Sequence, residues 1–217
     1  MNVLLFGATG MIGSGVLTEC LEDAGVGAVV AVGRSATGRT HPKLREVLLP
    51  DLFALATRRD ELGPVDACLY CLGVSSTGMT ADRYRTLTVD LTAAVADVVE
   101  GLAPECSFCF VSGQGSGSGR AMWARVKGEA EQAMLARPFD TWVFRPGFVQ
   151  PVKGETSRTA LYRYLYRIIG PVSPLIMKAF PGSVTTTEIL ARAMIRAARD
   201  GYPERILENP DINALGA

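Results

Sequence analysis

"NVLLFGATGMIGSGVLTECLE", residues 2–22, decides how this chain is read. Asn2 to Phe6 is a short apolar run closed by Gly7, which suits a buried strand. From Met11 to Glu22 the apolar residues Met11, Val16, Leu17, Cys20 and Leu21 fall at helical spacing. Gly7, Gly10 and Gly13 occupy the turn between the two. A glycine turn in that place lets the backbone approach a pyrophosphate, whose charge is met by free N–H groups at the start of the helix. Glycines also close ordinary turns, so the motif takes its weight from what surrounds it.

The same alternation continues downstream. "AVVAV" (28–32), "REVLL" (45–49), "ACLYCLG" (67–73), "SFCFVS" (107–112) and "TWVFRPG" (141–147) read as strands. Helical spacing runs from about residue 80 to 100 through Tyr84, Leu87, Leu91, Val95 and Val98, with Gly101 as the stop, and again over 121–137. "TTTEILARAMIRAARDG" (185–201) opens on threonine with Glu188 in the first turn, and closes on arginine and Gly201, as a capped helix does. Strands separated by helices of this length imply right-handed crossovers and a parallel sheet covered on both faces. The expectation is one domain over residues 1–217: a doubly wound α/β Rossmann sheet with a small C-terminal helical lid.

Composition narrows the function classes. Lysine plus arginine equals aspartate plus glutamate at 22 each, so no basic excess argues for nucleic acid as a partner. No run of 18 or more apolar residues occurs, the length a spanning helix needs, and "MNVLLFGATG" reads as a strand rather than a leader. A cytoplasmic protein is expected. Five cysteines include "CLYC" (68–71) and "CSFC" (106–109). Both pairs fall on strands, where residues three apart face opposite sides, so four thiolates there do not converge on a metal. The single histidine, His41, has no evident partner for hydrolytic or metal chemistry.

The second strand bears on which dinucleotide fits. An acid at its end would hydrogen-bond an adenosine ribose and repel a 2′-phosphate. This chain has Arg34 and Ser35 there instead, and a guanidinium pairs with phosphate through a charge-assisted fork. NADP is therefore expected over NAD. Asp51 suits either the adenine amino group or a helix cap.

Gly7, Gly10, Gly13, then "CLG" (71–73), "VSG" (111–113), Lys127 in "WARVKGEAE" and "FRPG" (144–147) occur in order. Over roughly residues 1–210 the chain resembles the atypical or extended short-chain dehydrogenases/reductases and the NAD-dependent epimerases/dehydratases. Within them it is similar to the Tat-interacting-protein-like oxidoreductases. The resemblance implies NADP contacts from Gly7, Thr9, Gly10, Met11, Ile12, Gly13, Arg34, Ser35, Asp51, Leu52, Leu72 and Gly73. It also implies Lys127 on the nicotinamide ribose and the Arg145-Pro146-Gly147 backbone, with Pro146 and Gly147 as cofactor contacts, beside the ring. Asp90 matches a position where relatives often have a water-holding asparagine.

One position departs from that pattern. Four residues before the lysine the family has a catalytic tyrosine, and this chain has Trp123. A phenol both donates and accepts a proton, whereas indole only donates. Two readings stay open. In one, Lys127, Ser112 and Trp123 form the site of an NADP(H)-dependent reductase of a small activated carbonyl, enone or imine, the proton coming from Lys127, from water, or from Ser112, Ser116 or Ser118 through water. In the other, the protein binds NADP(H) without turnover and reports redox state to a protein partner. Tyr162, Tyr164 and Tyr166 offer substitute phenols, although packing explains them as well.

Residues 148–182 are read as a substrate-lid or partner segment. Within them, "SRTALYRYLYRIIGPVSPLIMKAFPG" (157–182) is aromatic, basic and broken by Pro171 and Pro174. Its apolar girth, with arginines between, suits a pocket roof, a homodimer contact or peripheral membrane contact by 160–180.

Overall fold

The computed structural model describes residues 1–152 and 182–217. The lid reading therefore falls for the most part, over 153–181, outside the described residues. The strands are β1 (Asn2–Phe6), β2 (Ala28–Gly33), β3 (Leu44–Leu48), β4 (Ala67–Tyr70), β5 (Ser107–Val111), β6 (Asp140–Arg145), β7 (Phe148–Gln150), β8 (Val184–Thr186) and β9 (Ile206–Glu208). Among the described residues the helices are α1 (Met11–Glu22), α2 (Ala81–Arg85), α3 (Leu91–Leu102), α4 (Met122–Leu135), α5 (Thr187–Asp200) and α6 (Asn209–Gly216). A 3-10 helix spans Leu52–Glu61, and a π turn spans Thr86–Asp90.

Seven strands form one parallel sheet in the order β3-β2-β1-β4-β5-β6-β9, and β7 pairs with β8 in a separate parallel ribbon. Two apolar clusters cover its faces. Phe6, Tyr70, Phe108 and Phe110 pack with the 3-10 helix, α3 and α4 on one side. Leu5, Leu69, Val111 and Phe144 pack with α1 and α5 on the other. This is a doubly wound Rossmann sheet. The chain winds out from β1 through β2 to β3, then restarts at β4 on β1's other flank, so a crevice opens between the C-terminal ends of β1 and β4.

The six long strands and the helices α1, α4 and α5 sit where the spacing puts them. The 80–100 helix differs. It is broken at its middle by the π turn, where one extra residue per turn shifts the register so that Leu87 and Leu91 both reach the crevice while Tyr84 and Val95 stay in the core. β7, β8, β9, α6 and the 3-10 helix were not legible beforehand. The three strands are three residues each, too short to show a period.

Candidate functional site

A cleft of about 490 Å³ opens at the C-terminal ends of β1, β2 and β4, within the size range of small-molecule sites. Gly7, Thr9, Gly10, Arg34, Ser35, Asp51, Leu52, Leu72 and Gly73 line it, together with Leu87 and Leu91. Met11, Ile12 and Gly13 form the first turn of α1 behind Gly10, and Lys127, Pro146 and Gly147 stand outside this lining.

The turn after β1 is built from glycine for stated reasons. Gly7 has φ +84°, and a Cβ there would come within 2.7 Å of the Cys71 carbonyl group at the end of β4. The Gly10 N–H donates to the Gly7 carbonyl at 2.8 Å. Gly13 lies against the same carbonyl so closely that a Cβ would overlap it. No side chain caps the N-terminus of α1 at Gly10, and no acid sits in its first turn. The leading amides and the positive end of the helix dipole are thus left for an outside anion.

At the β2 end, Arg34 is exposed at the cleft rim, and no ion pair or hydrogen bond to its side chain occurs among the described residues. Arg39 ties the following loop to α1, donating to Thr18 Oγ1 at 2.6 Å and to Ser14 Oγ at 3.3 Å. One carboxylate shares this end of the cleft, and sequence reading missed it. An acid is sought at the end of β2, but parallel pairing sets Glu46 of β3 opposite Ala31, where it accepts from the Thr37 N–H at 2.6 Å. Asp51 caps the 3-10 helix, accepting from the Phe53 N–H at 3.0 Å, while also lining the cleft. Phe53 and Val74, 43% and 37% exposed, add apolar wall that spacing had not flagged.

The second constellation lies at the end of β5. Lys127, one helical turn beyond Trp123 on α4, donates from Nζ to the Ser112 carbonyl at 3.0 Å. Burial pulls its amine from the ordinary lysine value of 10.5 down to about 8, with Glu131 one turn further on opposing the shift. The Ser112 and Ser116 hydroxyls are 3.0 Å apart, both buried, and Ser118 is exposed. Trp123 packs at the margin of the aromatic core, its Cη2 edge 3.9 Å from where a Cβ on Gly115 would stand. The loop 112–119 can lie on α4 only because Gly117 and Gly128 meet backbone to backbone. A Cβ on Gly128 would come 2.5 Å from the Gly117 Cα.

Glu131 is fully buried and clasped by Arg145, with Arg145 Nη2 and Nε at 2.5 and 3.1 Å, while Arg145 Nη1 reaches Glu208 at 3.0 Å. That pairing holds the Arg145 guanidinium firmly in its charged form. The backbone expected beside a nicotinamide is partly committed elsewhere. The Pro146 carbonyl accepts from the Gln114 N–H at 2.9 Å, and the Gly147 N–H donates to Asn209 Oδ1 at 2.9 Å. The Asp90 carboxylate pairs with Arg85 at 2.8 Å, beside an Arg85–Glu129 contact.

No described tyrosine near α4 replaces the missing phenol. Tyr70 is buried beside Thr92 and Tyr84 beside Thr88, and burial raises both phenols above their ordinary value. Tyr162, Tyr164 and Tyr166 lie outside the described residues. The cysteines divide as strand alternation requires, Cys68 and Cys106 on one sheet face and Cys20, Cys71 and Cys109 on the other. Burial raises all five thiols. Among the described residues no helix is long and apolar enough to cross a membrane.

No family model matches the chain. Curated relatives include the protein fmp52, mitochondrial, of Aspergillus fumigatus, 26% identical over 209 residues, covering 90% of this chain and 86% of that protein. FMP52 of Chaetomium globosum is 27% identical, covering 98% and 96%, and that of Kluyveromyces lactis 29%, covering 77% and 76%. Among solved structures, a short-chain dehydrogenase/reductase of Saccharomyces cerevisiae superposes with TM-score 0.69 at 14% identity, covering 99% of this chain and 98% of that one. The Bordetella bronchiseptica enzyme WbmF in complex with NAD+ gives 0.67 at 17%, covering 98% and 76%. The cytoplasmic expectation is corrected by the relatives, each named a mitochondrial protein. It rested on a strand-like opening and on composition, and neither reports a compartment. What these likenesses establish is the fold: the chain has the Rossmann architecture of the short-chain dehydrogenases/reductases.

Proposed function

We propose that this protein is an NADP(H)-dependent oxidoreductase that reduces a small activated carbonyl, enone or imine. The fit to a phosphorylated dinucleotide rests on this chain's own residues. The uncapped amides of α1, the Gly7 and Gly13 close approach and the unpaired Arg34 at the rim suit a pyrophosphate and a 2′-phosphate. The NAD named with WbmF supports a nicotinamide nucleotide as the general class. When bound, such a nucleotide supplies hydride.

The observation that carries the reading is Lys127. Its amine sits at the end of β5, anchored on the Ser112 carbonyl, with a pKa of about 8. An acid of that strength is charged at neutrality yet releases its proton easily, which suits protonation of an oxygen that gains charge as hydride arrives. The anchoring bond uses one of the ammonium's three protons and leaves two for ribose hydroxyls or substrate. In this reading Ser112 offers its hydroxyl to the substrate oxygen, and Trp123 provides an apolar wall and no base. The Arg145–Glu131 pair keeps a negative charge one turn below Lys127, favouring its protonated form.

The test is NADPH consumption by the purified chain against quinones, enones and aldehydes. Turnover in any class, lost in Lys127→Met, supports the reductase. Tight NADPH binding with no turnover in every class favours the second reading, a redox sensor, which Trp123 in the phenol's place also favours.

A further inference from the structure

We infer that Glu46 is a specificity-determining residue of the nucleotide cleft. Its carboxylate accepts from the adenosine ribose and opposes a 2′-phosphate. The site therefore takes NADH as well as NADPH, and prefers NADPH only by as much as Arg34 outweighs Glu46. This rests on the nucleotide binding proposed above, and not on turnover.

The charges at this end of the cleft do not favour phosphate outright. Arg34 supplies one guanidinium at the rim, while Glu46 and Asp51 line the same cleft. Arg39, the next cation along the loop, is not part of that lining and is committed to Thr18 and Ser14 of α1. A carboxylate on the wall weakens the hold on a dianion, because like charges repel most where water is scarce. A ribose diol has the opposite need. Its hydroxyls donate, and an ionised carboxylate is a strong acceptor for them.

Strand pairing brings Glu46 to this place. Its register partner on β2 is Ala31, on the same face of the sheet, and both residues line the cleft. A methyl is too short to cover the neighbouring carboxylate. Glu46 Oε1 accepts from the Thr37 N–H at 2.6 Å, and Oε2 has no donor among the described residues. That one bond steadies the carboxylate and leaves an oxygen for a ligand. It also ties down the loop after Arg34, which Arg39 fastens to α1 from the other side. No ion pair joins Arg34 to Glu46 among the described residues, so neither charge is neutralised by the other. The cleft thus holds a fixed cation and a fixed anion at its adenosine end, one suited to a phosphate and the other to a hydroxyl.

Calorimetric titration of the purified full chain with NADPH and NADH reads this without any substrate. Glu46→Gln keeps an oxygen for the Thr37 N–H and removes the charge. It should tighten NADPH and weaken NADH, each about 5-fold, as a repulsion is lifted and a charged hydrogen bond becomes a neutral one. Glu46→Ala removes the charge and the loop tie together, and should raise the NADPH preference as well. If Glu46 only held the loop, glutamine would leave the ratio of the two affinities unchanged, and alanine would loosen Arg34 and lower the NADPH preference. Either result overturns the proposal. A wild type that binds neither nucleotide overturns it together with the nucleotide reading, whereas binding of both with an unchanged ratio in Glu46→Gln removes this inference alone.

Discussion

Replacing Lys127 by methionine should change how stability depends on pH, in a way the structure fixes in sign and size. Burial holds the folded-state amine at about 8, against 10.5 for an ordinary lysine. Between those values the unfolded chain keeps a proton that the folded chain has released, so stability rises with pH across that window. Below about pH 8 both states are protonated, and the folded state bears the full cost of a half-buried charge. Each tenfold change in proton affinity is worth about 1.4 kcal/mol, so the cost at pH 7 is about 3 kcal/mol. It falls by about 1 kcal/mol at pH 9 and nearly vanishes by pH 10.5. Methionine keeps the stem, removes the charge and forfeits the bond to the Ser112 carbonyl, worth about 1 kcal/mol. At pH 7 the variant should therefore be more stable than wild type by about 2 kcal/mol, and less stable by about 1 kcal/mol near pH 10.5. The assay is urea denaturation from pH 6.5 to 10.5 on both proteins. The buried thiols ionise on unfolding and lower stability at high pH, but equally in both chains, so the difference isolates the lysine. Parallel stability curves would refute the claim that Lys127 is a depressed, half-buried amine.

Three further outcomes follow from named contacts. Arg34→Ala should weaken NADPH about 10- to 100-fold by calorimetry and leave NADH unchanged, the loss expected for charge-assisted bonds to one phosphate. Gly13→Ala drives a methyl into the Gly7 carbonyl, which is backbone and cannot swing aside; it should cost at least ~2 kcal/mol in urea denaturation and remove nucleotide binding. Arg145→Met strands the fully buried Glu131 carboxylate and should cost about 3–5 kcal/mol, whereas the Glu131→Met/Arg145→Met double variant should recover most of it, as measured by thermal and urea unfolding together.

The fold was legible where side chains repeat over enough residues to show a period. β1, β2 and the helices α1, α4 and α5 are of that kind. Their order, with a glycine turn at the first crossover, implies the doubly wound sheet. Three-residue strands show no period, and the π turn leaves no mark in the hydrophobic pattern, though it brings Leu87 and Leu91 to the cleft. The nucleotide end of the site was legible through glycines and Arg34, whose roles follow from backbone geometry and charge. Glu46 was not, because it reaches the cleft through strand pairing with β2, and pairing partners lie far apart in sequence. The Ser112–Ser116 pair and the Arg145–Glu131 clasp were hidden for a related reason. A serine among glycines, or an acid on a helix, looks exposed until the loop is seen folded onto α4.

Titrating the purified chain with NADPH and NADH, with heat and tryptophan emission followed together, tests the central claim most directly. Saturable one-site binding of NADPH in the micromolar range, weaker binding of NADH, and energy transfer to the reduced nicotinamide that falls in Trp123→Phe, leaving only the Trp142 contribution, are the results this account predicts. No heat with either nucleotide at millimolar concentration, or transfer that persists unchanged in Trp123→Phe, would contradict it.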